Sequence, residues 1–298
     1  MRMNASVPIS LVFILLLPPF FDGLVRKIKA RLQYSAGPPL LQTFYDLEKL
    51  VRLPSRVPTD NKLFVIAPYL ALAAAISAAL FLPYGSVAPL SFGGDVIVVL
   101  YVVAMVSVSV MLGAFSVKNS FSHIGGHREM IILLSTEPIL AVSLGIFALN
   151  SGTLTVSEAP LALSLSFSTV LAYILLAYSV YVECGFLPFD VAEAEIELGG
   201  GVFVEYSGRL LGVFLYALLI KRFALIWLLS SFIVLPLVGS ISWPIRLLLQ
   251  LGIATAIYAL FATVEGTSSR LRIDQIMRIN MKVFITSLVV LALSFVGW

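Results

Sequence analysis

Six carboxylates, Glu183, Asp190, Glu193, Glu195, Glu197 and Glu205, fall between Glu183 and Gly208, a stretch that holds no Lys or Arg. The chain has only 16 acidic residues in all. Like charges this close repel, so they must share protons, bind cations or meet a basic surface. Asp190 followed three residues later by Glu193 reads as a capping-box start. A short helix over "VAEAEIEL" would then place Glu193 and Glu197 on one face and Glu195 on another side. Gly199, Gly200 and Gly201 end it, and Glu205 falls near the start of the next helix, where the dipole favours an anion. A solvated acidic loop would not need Phe186, Pro188, Phe189 and Phe203 to hold it near an apolar phase.

Two more carboxylates belong to "SVKNSFSHIGGHREMIILLSTEP". Glu137 lies eight residues after Glu129, so the two share roughly one helical face. Glu137 sits about two turns inside an apolar run, where a carboxylate must be protonated, paired or hydrated. The alternative is a structural hydrogen bond between helices. Gly125–Gly126 predicts a backbone turn before Arg128, and Pro138 predicts a local kink. Lys221 and Arg222 stand inside another apolar run. Either they snorkel to an interface, making 210–220 a surface helix, or they face a buried polar path.

These charges are set in an oily chain. Of 298 residues, 60% are hydrophobic and 12% charged, and the mean hydropathy is +1.03. A soluble domain is usually about a quarter charged, so the composition predicts an all-α integral membrane protein forming one polytopic domain over 1–298. Apolar runs long enough to cross a bilayer predict eight transmembrane helices near 5–22, 63–83, 96–117, 130–150, 161–182, 210–236, 242–264 and 280–297. The first is read as a retained helix, since no small-residue cleavage site follows it. Lys and Arg gather in 23–62, 118–129 and 265–282 and are missing from 84–95, 151–160 and 237–241. By the positive-inside rule, the long loops after helices 1, 3, 5 and 7 face the cytoplasm and both termini lie outside.

One cysteine, Cys184, and two histidines, His123 and His127, leave no disulfide framework, iron–sulfur site or bis-His haem in the chain. No basic run suggests nucleic acid. The segment "GLVRKIKARLQYSAGPPLLQTFYDLEKL" predicts a basic amphipathic helix at the membrane surface, with Leu24, Ile28 and Leu32 among Arg26, Lys27, Lys29 and Arg31. Gly37, Pro38 and Pro39 break it, and a helical pattern resumes through Leu40, Phe44 and Leu47. Lipid headgroups alone could account for the basic residues.

Taken together, "RKIKARLQ…GPP…Q…YD…K", "HREM…STEP" and "PFDVAEAEIEL…VEYSG" resemble three signatures of the membrane subunit that joins the hydrophilic and ion-pumping arms of respiratory complex I. That family includes the arm-joining subunit of bacterial NADH–quinone oxidoreductase and its relatives in group 4 membrane-bound NiFe hydrogenases and archaeal sulfane-reducing complexes. The resemblance covers nearly the whole chain. "GPPLLQTFYDLEKL" and the "RE…EP" form look closer to the archaeal hydrogenase-like branch.

The resemblance implies eight transmembrane helices in a cell-membrane coupling subunit with no redox centre of its own. Iron–sulfur clusters, and a NiFe centre in the hydrogenase branch, would lie in partners: hydrogenase-like large and small subunits, beside antiporter-like membrane subunits and lipid. It implies an ion path through Glu129, Glu137, Asp190, Glu193, Glu195, Glu197 and Glu205. It further implies docking of the peripheral arm at Arg26, Lys27, Arg31, Gln33, Gln42, Tyr45, Asp46, Arg128 and Tyr206. The alternative it carries is a quinone cavity near Arg26–Arg31 and the first helix. Tyr34 and Ser35, and Cys184 and Gly185, depart from the family's usual pairs, and Leu218 stands where many relatives carry a Glu.

Overall fold

A computed structural model of the chain describes residues 6–85, 88–163, 166–192, 199–238 and 241–296. Among them are nine α-helices: α1 (Ser6–Leu32), α2 (Gln42–Arg52), α3 (Lys62–Leu80), α4 (Asp95–Phe115), α5 (Ser120–Ser151), α6 (Phe167–Glu183), α7 (Gly208–Leu237), α8 (Trp243–Thr267) and α9 (Ile273–Phe295). Six of these, α3, α4, α5, α7, α8 and α9, are long and apolar enough to cross a membrane, and α6 is a shorter apolar helix of 17 residues.

The helix starts follow local chemistry. Asn61 and Asn119 cap α3 and α5 by accepting from the Leu63 and Phe121 N–H groups. Pro244 enters the first turn of α8, where its missing N–H costs nothing. Gly152, at φ 71°, closes α5.

The centre of the bundle is α7. Phe214, Phe223, Trp227 and Phe232 on it are fully buried. Around it pack α3, α8, α2 and α1, while α5 joins α4, α6 and α9. On α3, Ala71, Ala75, Ala78 and Ala79 are buried, and small side chains let helix backbones approach closely where no hydrophobic effect drives them together. Gln250 on α8 is wholly buried; it donates to Pro83 O at 2.9 Å and Ser231 Oγ at 2.6 Å and accepts from Gly85 N at 2.9 Å.

The boundaries differ from the sequence expectation in four places. Helix α1 runs without a break through Pro18 and Pro19 into the basic segment, because that segment is tied to the bundle: Arg26 pairs with Asp22 and Asp46, each at 2.9 Å, and Lys29 pairs with Glu265 at 2.9 Å. The chain turns only beyond it, through Tyr34 (φ 54°) and Gly37 (φ 67°). Helix α5 begins ten residues before the expected 130, and Gly125–Gly126 is helical rather than a turn. The reason is space: a Cβ on Gly125 would lie 2.7 Å from Val202 N. Helix α6 begins later than 161, after a 3₁₀ turn at Ala159–Ala162. Helix α9 begins at Ile273, seven residues before the expected 280, so part of the basic segment is helical.

A strap joins α2 to α7. Arg209 N donates to Leu53 O at 3.2 Å, Leu210 N to Ser55 Oγ at 3.0 Å, and Arg56 N to Ser207 Oγ at 3.1 Å. This holds the short amphipathic α2 against the first turns of α7.

Candidate functional site

The last residue of α6 is Glu183. The middle of α7 presents Lys221 to it, with Nζ 2.8 Å from Glu183 Oε2. The same ammonium donates to Ser107 Oγ on α4 at 2.7 Å. Lys221 is 4% exposed, so of the two readings of Lys221 snorkelling to an interface falls, and its ammonium is buried among polar groups. Glu129 of α5 stands on the same cavity wall as Glu183 and Lys221. Four helices thus bring together a run of Glu183, Lys221, Ser107 and Glu129.

Beside this run is a chamber of about 60 Å³ lined by Glu129, Glu183, Asp190, Leu218, Lys221 and Arg222 among others. It has room for a few waters at about 10–15 Å³ each. Glu183 Oε1 is buried and has no hydrogen-bond partner among the described residues. Nor has either carboxylate oxygen of Glu137, about two turns further along α5. Next to it, Asn280 of α9 donates to Ser135 at 2.8 Å and Thr136 at 3.2 Å and accepts from the Tyr178 hydroxyl at 2.5 Å.

The opening acidic stretch is held at several points. Asp190 receives Arg270 at 3.0 Å, and Leu271 N donates to Pro188 O at 3.1 Å. The cation for this carboxylate therefore comes from the basic segment that follows α8. Arg128 donates to Val191 O at 3.3 Å, and Glu205 accepts from Asn119 Nδ2 at 2.5 Å. Glu193, Glu195 and Glu197, with the helix expected over them, lie outside the described residues.

A second cavity, of about 290 Å³, is lined by Asp22, Arg26, Thr43, Asp46, Leu218 and Arg222, with four further leucines. Leu218 and Arg222 wall both cavities. Arg222 donates from Nε to Cys184 O at 2.6 Å and sits 5.4 Å over the Phe186 ring. Gln42 donates to Asp46 at 3.0 Å and Thr43 to Asp22 at 2.8 Å. Arg31, Gln33 and Tyr45 are exposed, and Lys27 is half-buried. Tyr206, expected on a docking face, is instead buried: it stacks on Phe64 at 4.1 Å and donates to Phe64 O at 3.0 Å. Its ring is part of the packing between α3 and α7, since an aromatic next to an apolar helix start buries readily once its hydroxyl has a partner.

Sequence reasoning missed Ser107, Asp22 and Arg270 as members of these sites, and it left Lys221 undecided. Asp22 and Lys221 carried a signal, a charge inside an apolar run. Ser107 carried none. Among the described residues, no group of three or more His, Cys, Asp or Glu is placed to hold a metal ion.

Residues 5–296 match the family described as NADH dehydrogenase. Hydrogenase-4 component C of Escherichia coli (strain K12) is 32% identical over 217 residues, 71% of this chain and 69% of the relative. Formate hydrogenlyase subunit 4 of the same organism is 29% identical over 276 residues, 88% of this chain and 89% of the relative. A subunit of the NADH-quinone oxidoreductase of Cytophaga hutchinsonii is 30% identical over 295 residues, 87% and 85% of the two chains. In fold, the chain is similar to one in the structure of the membrane-bound sulfane sulfur reductase, an archaeal respiratory membrane complex. The TM-score is 0.86 at 23% identity, covering 99% of this chain and 100% of that one.

Proposed function

The chain belongs to the NADH dehydrogenase family, and from that premise we propose that it is the membrane-anchor and coupling subunit of a multisubunit energy-converting redox complex. It docks a peripheral arm of hydrogenase-like large and small subunits, which hold the iron–sulfur clusters and any NiFe centre, and it links their electron transfer to proton or sodium movement through antiporter-like membrane subunits. In this reading it is a multi-pass cell-membrane protein of eight spans, α1 and α6 included. The segments carrying Arg31, Gln33, Tyr45, Arg128 and Asp190 face the cytoplasm, and both termini face the other side.

The observation that carries the reading is the chamber shared by Glu129, Glu183, Asp190 and Lys221. It begins at a loop rich in carboxylates and ends among helices apolar enough to cross a membrane. A change of charge in a docked arm would reach the carboxylates first at Asp190. It would shift their shared proton occupancy and pass inward to Glu129 and Glu137. Glu205, held by Asn119, borders the same loop. The test is Glu129→Gln with Glu137→Gln in the intact complex. Ion movement per electron should fall; an unchanged ratio sinks the relay. Purifying the complex on this chain and measuring metals tests the partners: iron is expected with it, and nickel if the arm is hydrogenase-like.

A second reading is favoured by an apolar groove of about 380 Å³ between α1, α2 and α7, lined by Leu15, Pro19, Phe44, Leu47, Val51 and Tyr216 among others. It suits the tail of a quinone whose head would reach the Asp22–Arg26–Asp46 cavity. Quinone extracted with the complex, and activity that depends on it, would select this reading over the hydrogenase-like one.

A further inference from the structure

Lys221 is an unusual choice for a path built of carboxylates. It stands in the middle of a 30-residue apolar helix, and its side chain is 5% exposed beside a Glu183 side chain that is 2% exposed. The charged groups around it are Glu183 from α6, Glu129 and Glu137 from α5, Arg222 from its own helix, and Asp190 and Arg270 across the chamber. Cys184 is close by as a thiol, and α4 contributes only Ser107. Three carboxylates set among the helices, Glu129, Glu137 and Glu183, thus surround one ammonium, with the Arg222 guanidinium on the same chamber wall.

A lysine whose only task was to neutralise Glu183 would have both carboxylate oxygens satisfied in a closed pair. Here one oxygen is engaged, and Oε1 is buried with no hydrogen-bond partner among the described residues. The ammonium also donates to Ser107 Oγ, and Glu129 lines the same chamber as the Glu183–Lys221 pair. In a site of low dielectric one cation can compensate one carboxylate, and the others must take up protons. Four methylenes let an ammonium change partners without moving the backbone, which a guanidinium held at both ends would not do.

We propose that Lys221 is the moving charge of this site, its ammonium passing between Glu183 and Glu129 as those two acids exchange a proton. With Glu183 ionised, the ammonium stays on Glu183 and the proton is on Glu129. When Glu129 gives up its proton and Glu183 receives it through chamber water, the ammonium moves to Glu129. Lys221 keeps all three of its own protons throughout, and charge and atoms balance in both states. The two arrangements supply the discrete two-state element that coupling between distant sites requires. The inference rests on the coupling reading for its purpose, but its chemistry is local.

The test uses the full chain in lipid nanodiscs. Infrared difference spectra record the carboxylic acid band of Glu183, identified by its loss in Glu183→Gln. In Glu129→Gln the competing carboxylate is gone, the ammonium stays on Glu183, and the band should shrink at fixed pH. With Lys221→Met in the same background, that shrinkage should be lost. If Lys221→Met does not fold, Lys221→Arg serves, since a guanidinium spanning both acids should also remove the dependence. A Glu183 band indifferent to Glu129→Gln overturns the proposal. Ion movement per electron in the Lys221→Arg complex separates the two readings: if it is unchanged while the infrared dependence holds, the switch stands and the coupling role falls.

Discussion

Lys221 Nζ lies 2.8 Å from Glu183 Oε2, and the two residues are 38 positions apart on helices that hold both side chains out of solvent. The pair is costly to bury and more costly to break. Lys221→Met alone strands a carboxylate and should destabilise the chain by about 3–5 kcal/mol. Lys221→Met with Glu183→Leu should recover most of that loss, since an apolar pair of similar volume needs no compensation. Thermal unfolding of the detergent-solubilised protein reads both. A single variant as stable as the original would mean that Glu183 is not ionised in the folded chain.

The Asp190–Arg270 pair behaves differently because water reaches it; the two side chains are 27% and 22% exposed. Arg270→Gln should cost about 1 kcal/mol or less in stability. Its effect should appear in ion movement per electron, because Asp190 on the chamber wall then loses its cation. The reversed pair, Asp190→Arg with Arg270→Asp, should keep stability without restoring coupling. Full coupling in the reversed pair would show that Asp190 acts as an anchor only.

Gly125 is where α5 meets the backbone of the acidic stretch. A Cβ there would lie 2.7 Å from Val202 N, 2.9 Å from Gly201 C and 3.0 Å from Ala192 O. Gly125→Ala should destabilise by about 1–3 kcal/mol through forced backbone movement. Hydrogen exchange should rise in 199–206. Gly145→Ala, on the same helix with nothing within 4 Å of the added carbon, should instead stabilise by about 0.5–1 kcal/mol.

Cys184 lies just past the end of α6 and is 2% exposed. Burial pushes its thiol up to about 12, so it stays protonated and unreactive far above neutrality. The folded chain should resist maleimide at neutral and mildly alkaline pH and react once unfolded. The sign for stability follows: the folded state favours the neutral thiol, so this contribution is present below the ordinary thiol value of about 8.5 and is lost as pH rises past it. Fast labelling of the native chain would show that this corner opens.

Much of the fold and part of the site were readable from residues in order. Hydropathy marked the membrane class, and the apolar runs at 210–236 and 242–264 became α7 and α8 within three residues at each end. Glu129 and Glu137 could be placed on one face from their eight-residue spacing, and the absence of Lys and Arg near Asp190 required a cation from elsewhere. These are local properties: periodicity, composition and the charge balance of a short window. Which cation reached Asp190 was not local, since Arg270 is 80 residues away. The same holds for Ser107, an ordinary serine until Lys221 donates to it, and for Tyr206, whose burial depends on Phe64 of α3. The basic end of α1 looked like a lipid-facing surface because its partners, Asp46 and Glu265, come from other helices. A sequence by itself sets how much charge an apolar chain must accommodate; packing alone decides which helix faces meet, and so which charges neutralise one another.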